Sequence, residues 1–269
     1  MSTVTLGLIG AGNMAEAIAR SAIDIGVLEP EQLAASDPLK DRRQTLAALG
    51  VAVFESNAEV IGRSDQILLA VKPQMMDRAV ADLAAHGHAG HILISIVAGV
   101  RTVQLAEAIG RPSRIIRVMP NTPLMAGYGM AGVAMGAEAQ PGDDELAMKL
   151  FSSGQSRAIR VGEADLDAIT AVSGSGPAYV FYLAEAMQKA AADLGLAPHA
   201  SLLVNQTILG AAKLLVSTSE DAAELRRKVT SPGGTTEVAI RHMDGNSTMD
   251  VMANAIKAAC AKSKELGTE

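Results

Sequence analysis

Three stretches of this 269-residue chain combine residue types and spacings that can do chemistry. The first is Gly10-Ala11-Gly12-Asn13-Met14-Ala15, set between an apolar run and an alanine-rich stretch. Gly10 allows a tight turn, Gly12 leaves bare backbone for a pyrophosphate, and Ala15 lets the following helix lie close to the strand. Phosphates would then rest at the helix start, around Asn13 and Met14, where free N–H groups and the dipole favour anions. A glycine turn in an ordinary strand–helix unit explains the same residues, so the motif needs its context. The second stretch is Ala70-Val71-Lys72-Pro73, one of three segments, with 95–100 and 117–123, that each end an apolar run. The third is Thr230-Ser231-Pro232-Gly233-Gly234-Thr235-Thr236, with hydroxyls on both sides of a Pro-Gly-Gly turn and a helical pattern after it. A glycine-rich helix start carrying Ser231, Thr235 and Thr236 makes a pocket for a carboxylate, with plain helix capping as the alternative.

Other candidates carry less. His86, His88 and His91 look like a metal cluster, but they lie before an apolar strand, at the sheet edge opposite to the one where ligands bind. No metal is expected. Gly174-Ser175-Gly176 has the look of a nucleophile elbow, yet Ser173 stands where a glycine is required and no strand precedes it. Cys260, the one cysteine, excludes an internal disulfide and falls in a helical apolar pattern with Met252 and Ile256, as a packed core thiol would. Met75 and Met76 read as core filling.

The elements that would position these residues follow from periodicity. The run 4–9 suits a strand buried on both faces, and Met14, Ala17, Ile18, Ser21, Ala22 and Ile25 share one face of the next helix. Further strands are expected at 33–36, 51–54, 66–71, 92–96, 115–119 and 158–161, with helices at 41–49, 75–85 and 102–109. The glycine-rich stretch 128–135 adds a strand or hairpin near the sheet edge. This alternation predicts an α/β Rossmann-like domain over residues 1–163, doubly wound around a mostly parallel sheet. Residues 70–73, 95–100 and 117–123 then share its carboxyl edge, where such sheets bind ligands.

Residues 164–269 show only helical patterns and are expected to form an all-α domain. Over 178–194 the polar residues Glu185, Gln188, Lys189 and Asp193 form one narrow stripe, and 202–216 is almost as apolar. So small a domain cannot cover two such helices by itself, which predicts packing against a second copy as a homodimer. The net charge of −6 argues against a nucleic-acid partner. With 49% hydrophobic and only 2% aromatic residues, the core must be aliphatic, rich in Met and Ala. The stretch 202–216, broken by Asn205, Gln206 and Lys213, is too short to span a bilayer, and no signal peptide is expected before the first strand. The sequence reads as a soluble, cytoplasmic protein with no membrane partner.

Which nucleotide binds depends on residues 35–43, at the end of the second strand. Asp37 there would favour the ribose hydroxyls of NAD, or with Pro38 would merely cap the next helix. Ser36, Lys40, Arg42 and Arg43 can instead hold a phosphate. The balance falls to NADPH, with NADH as the other candidate.

The segments GLIGAGNMA, AVKP, RVMPNTP, SGSGPAY (173–179) and SPGGTT (231–236) occur in the order known for pyrroline-5-carboxylate reductases, and the chain resembles that family over essentially its whole length. The resemblance implies a Rossmann domain, an all-helical dimerisation and substrate-binding domain, and the last step of proline biosynthesis. It implies an active site between the domains, helped by the partner subunit, and dimers that assemble further, commonly into decamers. By matching motifs, Ser36 and Asn57 would lie near the adenosine phosphate or ribose, and Ala98 and Asn121 near the nicotinamide. Ser231, Gly233, Gly234, Thr235 and Thr236 would hold substrate. Asp37 departs from the neutral residue common in NADP-preferring members.

Reducing a cyclic imine needs no covalent nucleophile, because a protonated C=N carbon is already electrophilic. Thr236 is the residue expected to meet the imine nitrogen, and Ser231 with the backbone of Thr235 and Thr236 to hold the carboxylate. A β-hydroxyacid dehydrogenase-like enzyme is the alternative, but the lysine expected four residues after Gly176 is replaced by Val180. A non-catalytic dinucleotide sensor would need the fold without SPGGTT.

Overall fold

The computed structural model describes residues 4–267, apart from the side chain of Pro73. Contacts divide it into two compact units, residues 4–175 with 259–267, and Gly176–Ala258.

In the first unit, strands and helices alternate. β1 (Val4–Ile9), α1 (Asn13–Asp24), β2 (Leu33–Ser36), α2 (Lys40–Ala47) and β3 (Ala52–Phe54) come first. Then follow α3 (Asn57–Ile61), β4 (Ser64–Leu69), α4 (Met76–His86), β5 (Ile92–Ser95), α5 (Thr102–Ile109) and β6 (Arg114–Pro120). β7 (Met130–Met135), α6 (Glu145–Phe151), β8 (Arg157–Arg160) and the short α7 (Leu166–Ile169) complete it, with the last turns of α12 (Thr248–Leu266). Among the described residues the eight strands form one sheet, ordered β3-β2-β1-β4-β5-β6-β7-β8. Every pairing is parallel except β6 with β7, which places Val118 opposite Val133. The glycine-rich stretch is therefore a full strand next to the sheet edge, as expected.

Strand alternation loads both faces, because successive side chains point to opposite sides. Leu6, Leu8, Leu68, Ile94 and Ile116 join α1 and α6 on one side, through Ile18, Ala22, Leu150 and Phe151. Ile9, Ile67, Leu69, Leu93 and Ile115 join α4 and α5 on the other, through Leu83, Leu105 and Ile109. The sheet is doubly wound. One detail differs from expectation: α1 buries Ala15, Ile18, Ala19 and Ala22, and Ile25 is exposed. The helix ends at Asp24, so Ile25 lies past its last turn, and small alanines bring the helix close to β1. Cys260 is half-buried.

The second unit is helical: α8 (Gly176–Ala191), α9 (Ala200–Ser217), α10 (Ala222–Lys228), α11 (Thr235–Gly245) and most of α12. Neither α8 nor α9 is covered within one chain. No residue of α8 is buried, α9 buries only Ala200 and Val204, and Phe181, Tyr182, Leu202 and Val216 stand well exposed. The helical run Glu163–Ser217 also holds one window apolar enough, by length and composition, to cross a membrane. Gly195 breaks this run in the left-handed region, at φ 83°.

Candidate active site

Where β1, β2 and β4 end, the first unit opens into a cleft of about 670 Å³. Gly10 sits at φ 95°, and a Cβ there would meet the Ala70 carbonyl oxygen at 2.9 Å. The fold itself requires that glycine. Gly12 is different: its backbone is one any residue adopts (φ −71°, ψ 179°), and a Cβ would meet nothing within 4 Å. A side chain there would project into open space beside the first turn of α1, whose N–H groups have no intrahelical acceptor. The cleft thus fits an anionic ligand held against bare backbone, as a dinucleotide pyrophosphate requires. Of the sequence-predicted residues, Gly10, Gly12, Asn13, Met14, Ser36, Asn57, Ala70, Val71 and Lys72 all line it. Pro73 opens a short helical turn, and its side chain lies outside the described residues. Met75 lines the cleft too and is exposed, a correction to its reading as core. It precedes α4 and faces the opening, while Met76 turns inward and is buried.

The far end of the cleft is a hydrogen-bonded chain. The buried Ser36 hydroxyl donates to Asn57 Oδ1 at 2.7 Å, and Asn57 Nδ2 donates to Asp82 Oδ2 at 2.8 Å. Beside it, both carboxylate oxygens of Asp37 are engaged by backbone. The Ala11 N–H donates to Oδ2 at 2.9 Å, and the Leu39 N–H donates to Oδ1 at 2.8 Å. Asp37 therefore ties the glycine turn to the start of α2, which is the capping alternative extended to a second loop. Arg43 donates to the carbonyls of Asp37 and Pro38, and Arg42 donates to Asn13 Oδ1 at 2.8 Å. Nothing in the sequence marked Asp82, although Arg78, Ala79 and Asp82 share one face of α4.

Ala98 and Asn121 lie farther along the same edge, past the ends of β5 and β6 and outside the lining of this cleft. Asn121 Oδ1 accepts from the Met130 N–H at 2.9 Å, while its Nδ2 donates to the carbonyl and hydroxyl of Ser173. Its amide joins the β6–β7 connection to the wide helical turn Thr170–Gly174.

In the second unit the SPGGTT turn leads into α11. Gly233 takes φ 72°, and its N–H donates to Glu237 Oε2 at 2.7 Å. The Gly234 N–H donates to the Ser231 carbonyl at 3.0 Å, and Gly234, with no side chain, is the N-cap residue. The hydroxyls of Ser231, Thr235 and Thr236 make no hydrogen bond among the described residues. No side chain caps the helix; Glu237, which holds the turn through Gly233, is braced by Arg241 at 2.8 Å. Sequence reasoning missed Glu237; its spacing of four from Gly233 was the available signal.

The histidines take a structural arrangement. The rings of His88 and His91 stack at 3.6 Å, and the His88 N–H donates to His91 Nδ1. Burial first, then the charge of His88, lowers the His91 pKa from 6.5 to about 4. Among the described residues no three metal-ligating groups come together.

Comparison with known proteins agrees with this geometry. Residues 163–266 match the family described as pyrroline-5-carboxylate reductase dimerisation, and residues 5–99 match NADP oxidoreductase, coenzyme F420-dependent. A pyrroline-5-carboxylate reductase of Pseudomonas aeruginosa is 40% identical, with 100% of this chain and 99% of that protein covered. The structure of a pyrroline-5-carboxylate reductase from Coxiella burnetii is similar at a TM-score of 0.89 and 34% identity, covering 98% of this chain and 99% of that one. A Plasmodium falciparum pyrroline carboxylate reductase with NADP bound is similar at 0.87 and 30% identity, with 99% of both chains covered. The cleft and these likenesses define a Rossmann-type, NADPH-dependent oxidoreductase that self-associates through its helical part. The chain belongs to the pyrroline-5-carboxylate reductase family.

Proposed function

We propose that this chain reduces 1-pyrroline-5-carboxylate to L-proline, the last step of proline biosynthesis, with the residues above in the following roles. Gly10, Gly12, Asn13 and Met14 receive the pyrophosphate. Ser36 and Asn57 receive the adenosine end, and Ala70, Val71, Lys72 and Pro73 form the wall of the cleft. Ala98 and Asn121 serve the nicotinamide end. NADPH, when bound, supplies the hydride to the imine carbon. The protein positions the ring, and such positioning can be worth roughly 7–11 kcal/mol of barrier.

Ser231, the Gly233-Gly234 turn and the backbone N–H groups of Thr235 and Thr236 hold the substrate carboxylate, at a helix start whose first N–H groups are unpaired. The Thr236 hydroxyl donates to the ring nitrogen as the C=N bond becomes the C–N bond of a secondary amine. The observation that carries this reading is the trio of hydroxyls at the glycine turn that have no partner among the described residues. Residues 164–269 act as the dimerisation and substrate-binding domain and 1–163 as the dinucleotide-binding domain. Dimers assemble further into a decamer, in the cytoplasm. The test is loss of NADPH absorbance with 1-pyrroline-5-carboxylate, with proline quantified. Substrate-dependent oxidation that forms proline is expected, and no proline at millimolar substrate overturns the assignment.

A further inference from the structure

The cleft end that holds Ser36 and Asn57 is rich in acids. Asp37, Glu55 and Asp82 all border it or reach its side chains. A 2′-phosphate adds about two further negative charges there, so NADPH needs a cation that NADH does not. The basic run after β2 is largely committed elsewhere. Arg43 is bound by two backbone carbonyls and by Glu55 at 3.6 Å, Arg42 is tethered to Asn13, and Lys40 does not line the cleft. Lys72 follows Val71, which stands against Gly10 at the pyrophosphate end.

One guanidinium remains. Arg78 lines the cleft from α4, is exposed, and has no hydrogen bond or ion pair among the described residues. It stands one helical turn before Asp82, whose carboxylate accepts the Asn57 amide, so both residues lie on one helix face beside Asn57. We infer that Arg78 is the specificity-determining residue that selects NADPH over NADH, by pairing with the 2′-phosphate. The inference rests on the cofactor reading given above. It assigns the phosphate-pairing role to α4 rather than to the Arg42-Arg43 pair that the sequence offers first. A planar guanidinium suits this task because it can meet two phosphate oxygens at once.

The test is fluorescence titration of NADPH and NADH into the full chain and its Arg78→Gln variant. A charge-assisted hydrogen bond of the usual strength predicts NADPH binding weakened roughly ten- to a hundredfold and NADH by less than about threefold. Unaltered NADH binding also shows that the variant is folded. Arg78→Lys should retain part of the NADPH preference. Equal weakening of both cofactors, no weakening of either, or the selective loss appearing in Arg42→Gln but not in Arg78→Gln would each overturn the inference. A parent chain that binds neither cofactor would overturn the cofactor reading and this inference with it.

Discussion

Replacing Thr236 separates a chemical role from a structural one, because its hydroxyl has no hydrogen-bond partner among the described residues. A hydroxyl at a helix start is normally worth about 0.5–2 kcal/mol as a cap. Here that contribution is absent: Gly234 is the N-cap residue, Glu237 accepts the Gly233 N–H, and the Thr236 hydroxyl bonds to no described residue. Thr236→Val preserves shape and removes only the donor, so folding stability should hold within a few tenths of a kcal/mol, the usual range for changes outside such features. Catalysis should not hold. A hydrogen bond to a charged group is worth roughly 1.5–3 kcal/mol, and at about 1.4 kcal/mol per tenfold that lowers kcat roughly 10- to 150-fold. Thr236→Ser should recover most of the rate. The assay is steady-state NADPH oxidation at saturating cofactor, with a thermal melt and an NADPH titration on the same preparations. Near-parental kcat in Thr236→Val refutes the donor role and leaves the proton to bound water. A melting point lowered by many degrees would show that the hydroxyl has a structural partner after all.

Gly12→Val should abolish NADPH binding while the protein melts within a few degrees of the parent, since its backbone is ordinary and its Cβ direction is empty; unchanged affinity in a titration would show the turn to be structural only. Gly10→Ala should instead lose about 1–3 kcal/mol of stability, because φ 95° strains any side chain, and a parental melt would contradict the contact with Ala70. His91 has a folded pKa below its ordinary value, so the unfolded chain binds more protons between about 6.5 and 4. Its contribution to stability is full above 6.5 and lost as pH falls toward 4. Melts across that window should therefore drop more for the parent than for His91→Gln, and parallel curves would refute the shift. Phe181→Asp, on the exposed face of α8, should shift sedimentation toward monomer, whereas an unaltered dimer or larger assembly would place the interface elsewhere.

The sheet was legible because its central strands, such as β1, β4 and β5, carry short aliphatic runs that burial on both faces enforces. What escaped were elements whose residues are small or mixed. Asn57–Ile61 spans too few residues to show a period, and Glu145–Phe151 presents Ala147, Leu150 and Phe151 inward from a single short helix. The apolar helices of the second unit raised the opposite difficulty. Their composition announces that they are covered, and the single chain leaves them bare, so the pattern described an assembly rather than a chain.

The glycine turns were legible in the sequence and the roles of the polar side chains ambiguous, for a physical reason. A cap and a ligand donor are the same residue types at the same helix start, since both answer the same unpaired N–H groups. Only knowing which partners are already satisfied divides the two. Asp37 accepts one backbone N–H on each oxygen, from Ala11 and Leu39, so the acid that argued for NAD also holds two loops together. Glu237 reaches back to the Gly233 N–H, ahead of the helix, and Thr236 does not cap it. That leaves Ser231, Thr235 and Thr236 with hydrogen-bonding capacity that no described residue uses. Hydroxyls held ready at a glycine turn, at the start of a helix whose dipole favours an anion, are suited to a small carboxylate with a basic nitrogen nearby, which is the chemistry of a pyrroline ring.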